Sequence, residues 1–258
     1  MTAESAPLKV WLERNGALLR LRLARPKANI IDTAMIAAIS QALATHRGNA
    51  GLLAALLDHE GPNFSFGASV EEHLPGRCAE MLAGFHALII AMLEWPAPIL
   101  AVVRGQCLGG GLEIALASSR IFAAEDTTLG QPEIKLGVFA PAASCLLPPR
   151  IGQTAAEDLL LSGRLVDAIE AKTMRLVSDV SADPEAAALA WFDQHLAGKS
   201  TSSIAFAVAA ARGGFVPEVK RRLAEVERLY LKQLMKTRDA NEGLAAFIAK
   251  RTAKWEHR

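Results

Sequence analysis

The chain has 258 residues, with 28 Lys and Arg against 27 Asp and Glu, for a formal net charge of +1. That length suits one large domain, or one domain with an appendage, and is enough to bury most of its apolar surface without cross-links. The balanced charge excludes a global pull toward nucleic acid or an anionic membrane.

Hydrophobic residues make up 51% and aromatic residues 5%, so Ala, Leu, Ile and Val must form the core. No apolar stretch approaches the ~20 residues of a membrane span, and no signal-peptide pattern opens the chain. Cys78, Cys107 and Cys145 lack C-x-x-C spacing, which fits reduced thiols and makes the cytoplasm the expected location.

In chain order, Val10–Glu13 and Leu19–Leu23 predict a hairpin closed by Asn15-Gly16, a pair that readily adopts positive φ. The alternation Leu19-Arg20-Leu21-Arg22-Leu23 predicts a half-buried strand. Asp32 or Thr33 can cap a helix running to about His46, with Gly48 after it. Leu52–Leu57 is a buried strand, and Arg77–Glu94 a helix that stops before Pro96. Pro98–Val103 is a second buried strand, followed by Gly109-Gly110-Gly111 and a helix over Leu112–Ser118. Ile121–Ala124 is another strand.

This alternation through about residue 180 predicts an α/β fold with crossovers. From Pro184 onward the patterns are helical: Ala186–Leu196, Ser202–Ala211, Glu218–Lys236 and Asn241–Lys254. The expected organisation is therefore a core over 1–183 and a helical region over 184–258. The helices would either dock other subunits or cap the core of their own chain. Lys220, Arg221 and Arg222 read as a solvated helix face.

Three segments could carry chemistry. In Val103–Glu113 a strand feeds a glycine cluster and then a helix. Helix N-termini expose unpaired N–H groups and partial positive charge, and glycine lets a ligand approach the backbone. The segment can therefore hold an oxyanion, or the glycines can simply permit tight packing. It matches neither a P-loop nor G-x-G-x-x-G. Glu113, in the first turn of the helix, is either a partner of the helix dipole or a general acid–base.

Leu129–Gly137 carries Pro132-Glu133, an ordinary helix start, but also a second carboxylate beside a glycine-rich turn. Two carboxylates in one cleft can hold different protonation states. In Asn63–Ser69, Gly67 before Ala68 could turn an N–H into a cleft. Ser65 lacks the first glycine of G-x-S-x-G, so a serine hydrolase is not indicated. None of the six histidines shows H-E-x-x-H spacing, and no metal is expected.

Together these segments resemble the crotonase (enoyl-CoA hydratase/isomerase) superfamily over nearly the whole chain. Phe64-Ser65-Phe66-Gly67-Ala68 is similar to its first oxyanion segment, and Gly105–Glu113 to its second. Gly130-Gln131-Pro132-Glu133 is similar to its second catalytic segment, and Asn241-Glu242-Gly243 with Phe247 and Lys250-Arg251 to its C-terminal helix.

The resemblance implies a spiral of ββα units with a C-terminal helical trimerisation region, assembled as a homotrimer or dimer of trimers. It implies an acyl-CoA thioester substrate, with CoA entering as part of that substrate and no resident cofactor. The Ala68 and Gly110 N–H groups would bind the thioester oxygen, and Gly67, Ser69, Gly109, Phe139 and Pro141 would contact the substrate. Glu113 and Glu133 would add water, since both hydratase positions are filled. Arg25-Pro26-Lys27-Ala28 is similar to the segment that contacts CoA, and Phe247 and Lys250 would meet CoA from a neighbouring subunit.

Two departures bear on the acyl group. Ala140-Pro141-Ala142-Ala143-Ser144 stands where straight-chain hydratases read P-G-A-G-G, and Ser69 replaces the usual Asp. Pro141 brings no N–H. Together with Phe139, these changes should reshape the acyl pocket away from a linear enoyl chain. A general enoyl-CoA hydratase or isomerase and a non-catalytic acyl-CoA binding protein are the alternatives.

Overall fold

The structure, a computed structural model, describes residues 6–258. The hairpin forms as expected: β1 (Leu8–Glu13) pairs antiparallel with β2 (Leu18–Leu23), Val10 opposite Leu21. Its turn is longer than a two-residue link, because Arg14, Asn15 and Gly16 all take positive φ (54°, 56° and 89°).

Helix α1 (Thr33–His46) is capped by Asp32, whose side chain accepts the Met35 amide at 2.8 Å. Strand β3 (Ala54–His59) starts two residues later than the apolar run suggests. Helix α2 (Cys78–Leu93) leads to β4 (Ile99–Val103), whose five residues are all buried, as a parallel strand covered on both faces should be. Then come β5 (Gln106–Leu108), α3 (Gly110–Leu116), β6 (Arg120–Ala124) and β7 (Thr128–Gly130).

A 3-10 turn over Pro132–Leu136 is followed by α4 (Pro141–Ile151), α5 (Gln153–Ser162), β8 (Leu165–Asp167), α6 (Ala168–Thr173) and β9 (Asp179–Ser181). The C-terminal part is helical: α7 (Pro184–His195), α8 (Thr201–Arg212), α9 (Phe215–Lys232) and α10 (Arg238–Ile248).

The strands form a six-stranded sheet, β1-β2-β3-β4-β6-β9, parallel after the hairpin, and a three-stranded sheet, β5-β7-β8. From β4 to β7 consecutive strands alternate between the sheets. So β4, β5 and α3 make one ββα unit, and β6, β7 and the 3-10 turn repeat the step. This is the expected spiral. The main core lies on one face of the large sheet, where Leu21, Leu57, Ala101 and Ile121 meet α1, α2 and α3. On the other face Leu56, Leu100, Val102 and Phe122 are covered by Ala188 and Phe192 of α7 and by Leu196 just after it.

Two expectations need correction. The alternation in β2 predicts Arg20 at a wet face, but Arg20 is buried. That face is covered by α7, and Arg20 is compensated by Asp58 at 3.0 Å and by Glu185 of α7. Such a side chain is tolerated only because it is paired. The last helix ends at Ile248 instead of Lys254. Lys250 takes a positive φ of 52°, and the Glu242 carboxylate accepts the Lys254 amide at 2.8 Å, folding the tail back.

Candidate active site

Two short backbone segments meet where the sheets face each other. Leu108 donates its amide to Ser65 O at 3.0 Å, and Ser65 donates its own to Gln106 O at 2.9 Å. The Ser65 hydroxyl, fully buried, accepts the Gly67 amide at 3.0 Å and bends the chain through Gly67, whose φ is +108°. On the other side Gly109 turns the chain at φ +49° into α3, which begins at Gly110. A Cβ built on Gly110 would lie 3.0 Å from the Ala68 nitrogen, so the Ala68 and Gly110 backbones are neighbours.

Among the described residues no backbone hydrogen bond uses the Ala68 or Gly110 N–H. Gly110 is the first residue of a helix, where the amide has no partner inside the helix. Two adjacent unpaired donors at a positive helix end are suited to an oxyanion. Tight packing holds as well: a Cβ on Gly111 would lie 2.5 Å from Ser65 Cβ, so α3 can sit this close only with glycine there.

Glu113 lies one turn into α3 and is only 5% exposed. Its Oε1 accepts the Ala143 amide of α4 at 2.7 Å. Burial pushes its carboxyl up to about 7, while the amides of Ala143 and Ala142 favour the charged form.

Glu133 stands in the 3-10 turn and is pushed up to about 8, first by burial and then by the charge of Glu113. Its Oε1 lies against Gly109, where a Cβ would come within 2.5 Å of it. With its amide nitrogen facing the carboxylate, buried Gln131 donates to both Glu133 oxygens, at 3.1 and 3.0 Å. Two carboxyls raised by burial, one suppressing the other's charge, can share a proton and work as acid and base.

The structure thus brings together Gly67, Ala68, Gly109, Gly110, Glu113 and Glu133. Pro141 occupies the first turn of α4, where a missing N–H costs nothing to the helix. Pro141 offers no N–H, and the Ala143 amide two residues on is taken up by Glu113 at 2.7 Å. Phe139 packs edge-on against Tyr230 of α9, ring centroids 5.2 Å apart. Ser69 follows Ala68 and its carbonyl accepts from the His73 ring at 2.7 Å.

Lys27 is exposed with φ 86°, and Ala28 O accepts the Phe66 amide at 2.9 Å, tying that segment to the oxyanion turn. Phe247 and Lys250 lie exposed at the end of α10, with no hydrogen bond to the cluster among the described residues.

Sequence reasoning missed the residues that hold these segments in place. Asn29, fully buried with φ 43°, donates to Glu60 O and Asn63 O at 3.0 Å each. Asn63 in turn accepts the Gln106 amide at 3.0 Å. Asn is enriched at such a φ and often clamps local backbone, so the residue type itself was the available signal. Arg222, expected on a solvated face, donates to Ser144 O at 3.2 Å and ties α9 to α4. Among the described residues no group of three or more His, Cys, Asp or Glu could hold a metal, and no helix is long and apolar enough to cross a membrane.

The enoyl-CoA hydratase/isomerase family model matches residues 13–258. A cyclohexa-1,5-dienecarbonyl-CoA hydratase from Thauera aromatica is 61% identical over 258 residues, covering 100% of both chains. A carnitinyl-CoA dehydratase from Salmonella typhi is 30% identical, covering 96% of this chain and 98% of its own. The crystal structure of an enoyl-CoA hydratase from Mycobacterium avium subsp. paratuberculosis K-10 superposes with a TM-score of 0.84 at 25% identity, over 98% of this chain and 99% of that one.

Proposed function

This chain belongs to the enoyl-CoA hydratase/isomerase family, and from that premise we propose that it hydrates cyclohexa-1,5-diene-1-carbonyl-CoA. The observation that carries the hydratase reading is the pair Glu113 and Glu133, both raised by burial beside two unpaired backbone N–H groups. A binding protein has no need of two such carboxyls. The full-length similarity to the Thauera aromatica hydratase supports the cyclic acyl group.

The proposed step is a 1,4-addition. Glu113, its charge favoured by the Ala142 and Ala143 amides, takes a proton from water. The water oxygen bonds to C2, the carbon β to the thioester. The electron pair of the C1–C2 double bond moves toward the thioester oxygen, held by the Ala68 and Gly110 N–H groups. In related oxyanion sites one such donor lowers the barrier by ~2.7–4 kcal/mol. Charge spreads through C1 and C6 to C5, which takes the proton of Glu133. The remaining double bond then joins C1 and C6, and the product, renumbered, is 6-hydroxycyclohex-1-ene-1-carbonyl-CoA. Such a step belongs to the anaerobic breakdown of aromatic acids as benzoyl-CoA.

The proposal extends to a cytoplasmic homotrimer or dimer of trimers in which the Lys27–Ala28 segment contacts CoA. Phe247 and Lys250 reach the CoA of a neighbouring subunit. A panel of acyl-CoA thioesters tests the substrate: the cyclic diene should turn over faster than crotonyl-CoA. Faster turnover of crotonyl-CoA would favour a general enoyl-CoA hydratase or isomerase instead, as the 30% identity to the carnitinyl-CoA dehydratase would allow.

A further inference from the structure

Helix α9 presents an apolar stripe to the body of the protein, with Val219, Leu223 and Tyr230 buried along it. Tyr230 is the single tyrosine of the chain and has no exposed surface. Its hydroxyl has no hydrogen-bond partner among the described residues. A buried hydroxyl without a partner is unusual, because desolvating it is costly, and it calls for an explanation.

The surroundings of Tyr230 supply one. Its ring meets Phe139 edge-on at 5.2 Å, two residues before Pro141. Arg222, two turns earlier on α9, holds Ser144 O of α4 at 3.2 Å, so the helix is pinned to the segment whose amides bind Glu113. Burial, then the charges of Cys78, Glu133 and Glu113, hold the phenol above its ordinary range, which keeps it neutral. At the start of α4, Pro141 has no N–H, and the Ala143 amide is engaged by Glu113 at 2.7 Å. Neither Pro141 nor Ala143 therefore has an N–H left to orient a water.

We propose that Tyr230 is a further catalytic residue whose hydroxyl oxygen accepts the O–H that the adding water retains, and then the O–H of the product hydroxyl. This rests on the hydration proposed above. Tyr230 gives up no proton: one water proton goes to Glu113, the other stays on oxygen and points at Tyr230, and Glu133 protonates the ring.

The test is Tyr230→Phe, which removes one oxygen and keeps the ring against Phe139. Loss of a neutral hydrogen bond should lower kcat about tenfold, with KM changed less than about twofold. Affinity for the hydroxylated product should fall about tenfold, while affinity for cyclohexanecarbonyl-CoA, which has no hydroxyl, should not change. The thermal midpoint should hold or rise, since an unpaired buried hydroxyl is gone. Unchanged kcat and unchanged product affinity would overturn the proposal, as would a loss of affinity equal for both ligands. The same comparison is made with crotonyl-CoA and its 3-hydroxy product. If the wild type hydrates crotonyl-CoA alone, the cyclic substrate is wrong, and Tyr230 is judged on the crotonyl-CoA ratio. Glu113→Gln, run alongside, marks the rate without the base.

Discussion

Glu113 Oε1 accepts the Ala143 amide at 2.7 Å, which couples the first turn of α3 to the first turn of α4. The segment that departs most from the straight-chain pattern, Ala140–Ser144, therefore sets the charge of the base directly. Ala143→Pro removes this donor at a position where a helix tolerates proline. Losing a bond to the charged form raises the carboxyl further. The acidic limb of the pH–rate profile should move to higher pH, and an unmoved limb would show that the amide does not govern Glu113.

Glu113→Gln and Glu133→Gln keep the shape of each side chain and remove its acid–base function. Each should lower kcat by about 10²–10⁴ in steady-state hydration assays. The double variant should be little worse than the poorer single one, because the two groups serve one addition as base and acid and their losses do not add. Near-normal rates in both single variants would contradict the proposed roles.

Activity against pH should be a narrow bell. Glu113, pushed up to about 7, must be ionised, and Glu133, pushed up to about 8, must be protonated. The two limbs of kcat/KM belong to the pair and should fall near those values. Stability follows from the same shifts. The folded chain holds protons that the unfolded chain releases above about 4.5, so the stability these two groups contribute is fully present below that pH and is lost as pH rises through 7 and 8. Each Glu→Gln variant should therefore lose less stability between pH 5 and pH 8, on the order of the window set by these shifts, in thermal unfolding.

Gly109→Ala should nearly abolish turnover. The residue has φ +49° and ψ −128°, and a Cβ would sit 2.5 Å from Glu133 Oε1. Strain of this kind costs about 1–3 kcal/mol, and the carboxyl must also move. Hydration assays should show a fall of at least about 10²-fold, as a displaced catalytic group produces. Activity within a few fold of wild type would mean that Glu133 does not need this position.

Ser65→Ala leaves the Gly67 amide without its acceptor at 3.0 Å in a fully buried place. The expected destabilisation is about 1–3 kcal/mol in denaturant unfolding, together with a drop in kcat as the Ala68 amide loses its fixed direction. Ser65→Thr, which keeps the hydroxyl, should preserve the hydrogen bond if its methyl is accommodated.

Much of this site was legible in the sequence because its parts are local. Glycines at 109–111 after an apolar strand mark a turn that only glycine can make, and Gly109 takes that turn. Glu113 and Glu133 stood close to such turns in sequence. What escaped notice depends on contacts between distant segments. Strands β5 and β7 have three residues each and pair with one another across the spiral, too short for an alternation to register. Helix α4 contains Pro141, Pro148 and Pro149 and reads as a breaker-rich loop, yet the first lies in the opening turn and the others in the closing turns. Arg20 looked solvated because nothing local revealed that α7 would cover it. Tyr230 left a signal: a lone tyrosine on the apolar stripe of an otherwise charged helix.

The most direct measurement is product analysis after incubating the protein with cyclohexa-1,5-diene-1-carbonyl-CoA in D2O. Joint action of Glu113 and Glu133 predicts a product heavier by one D2O, with the hydroxyl on the carbon β to the thioester and one deuterium on the former C5. Deuterium entering the ring with no hydroxyl gained would make the chain an isomerase, and an unaltered thioester would contradict the proposed activity outright.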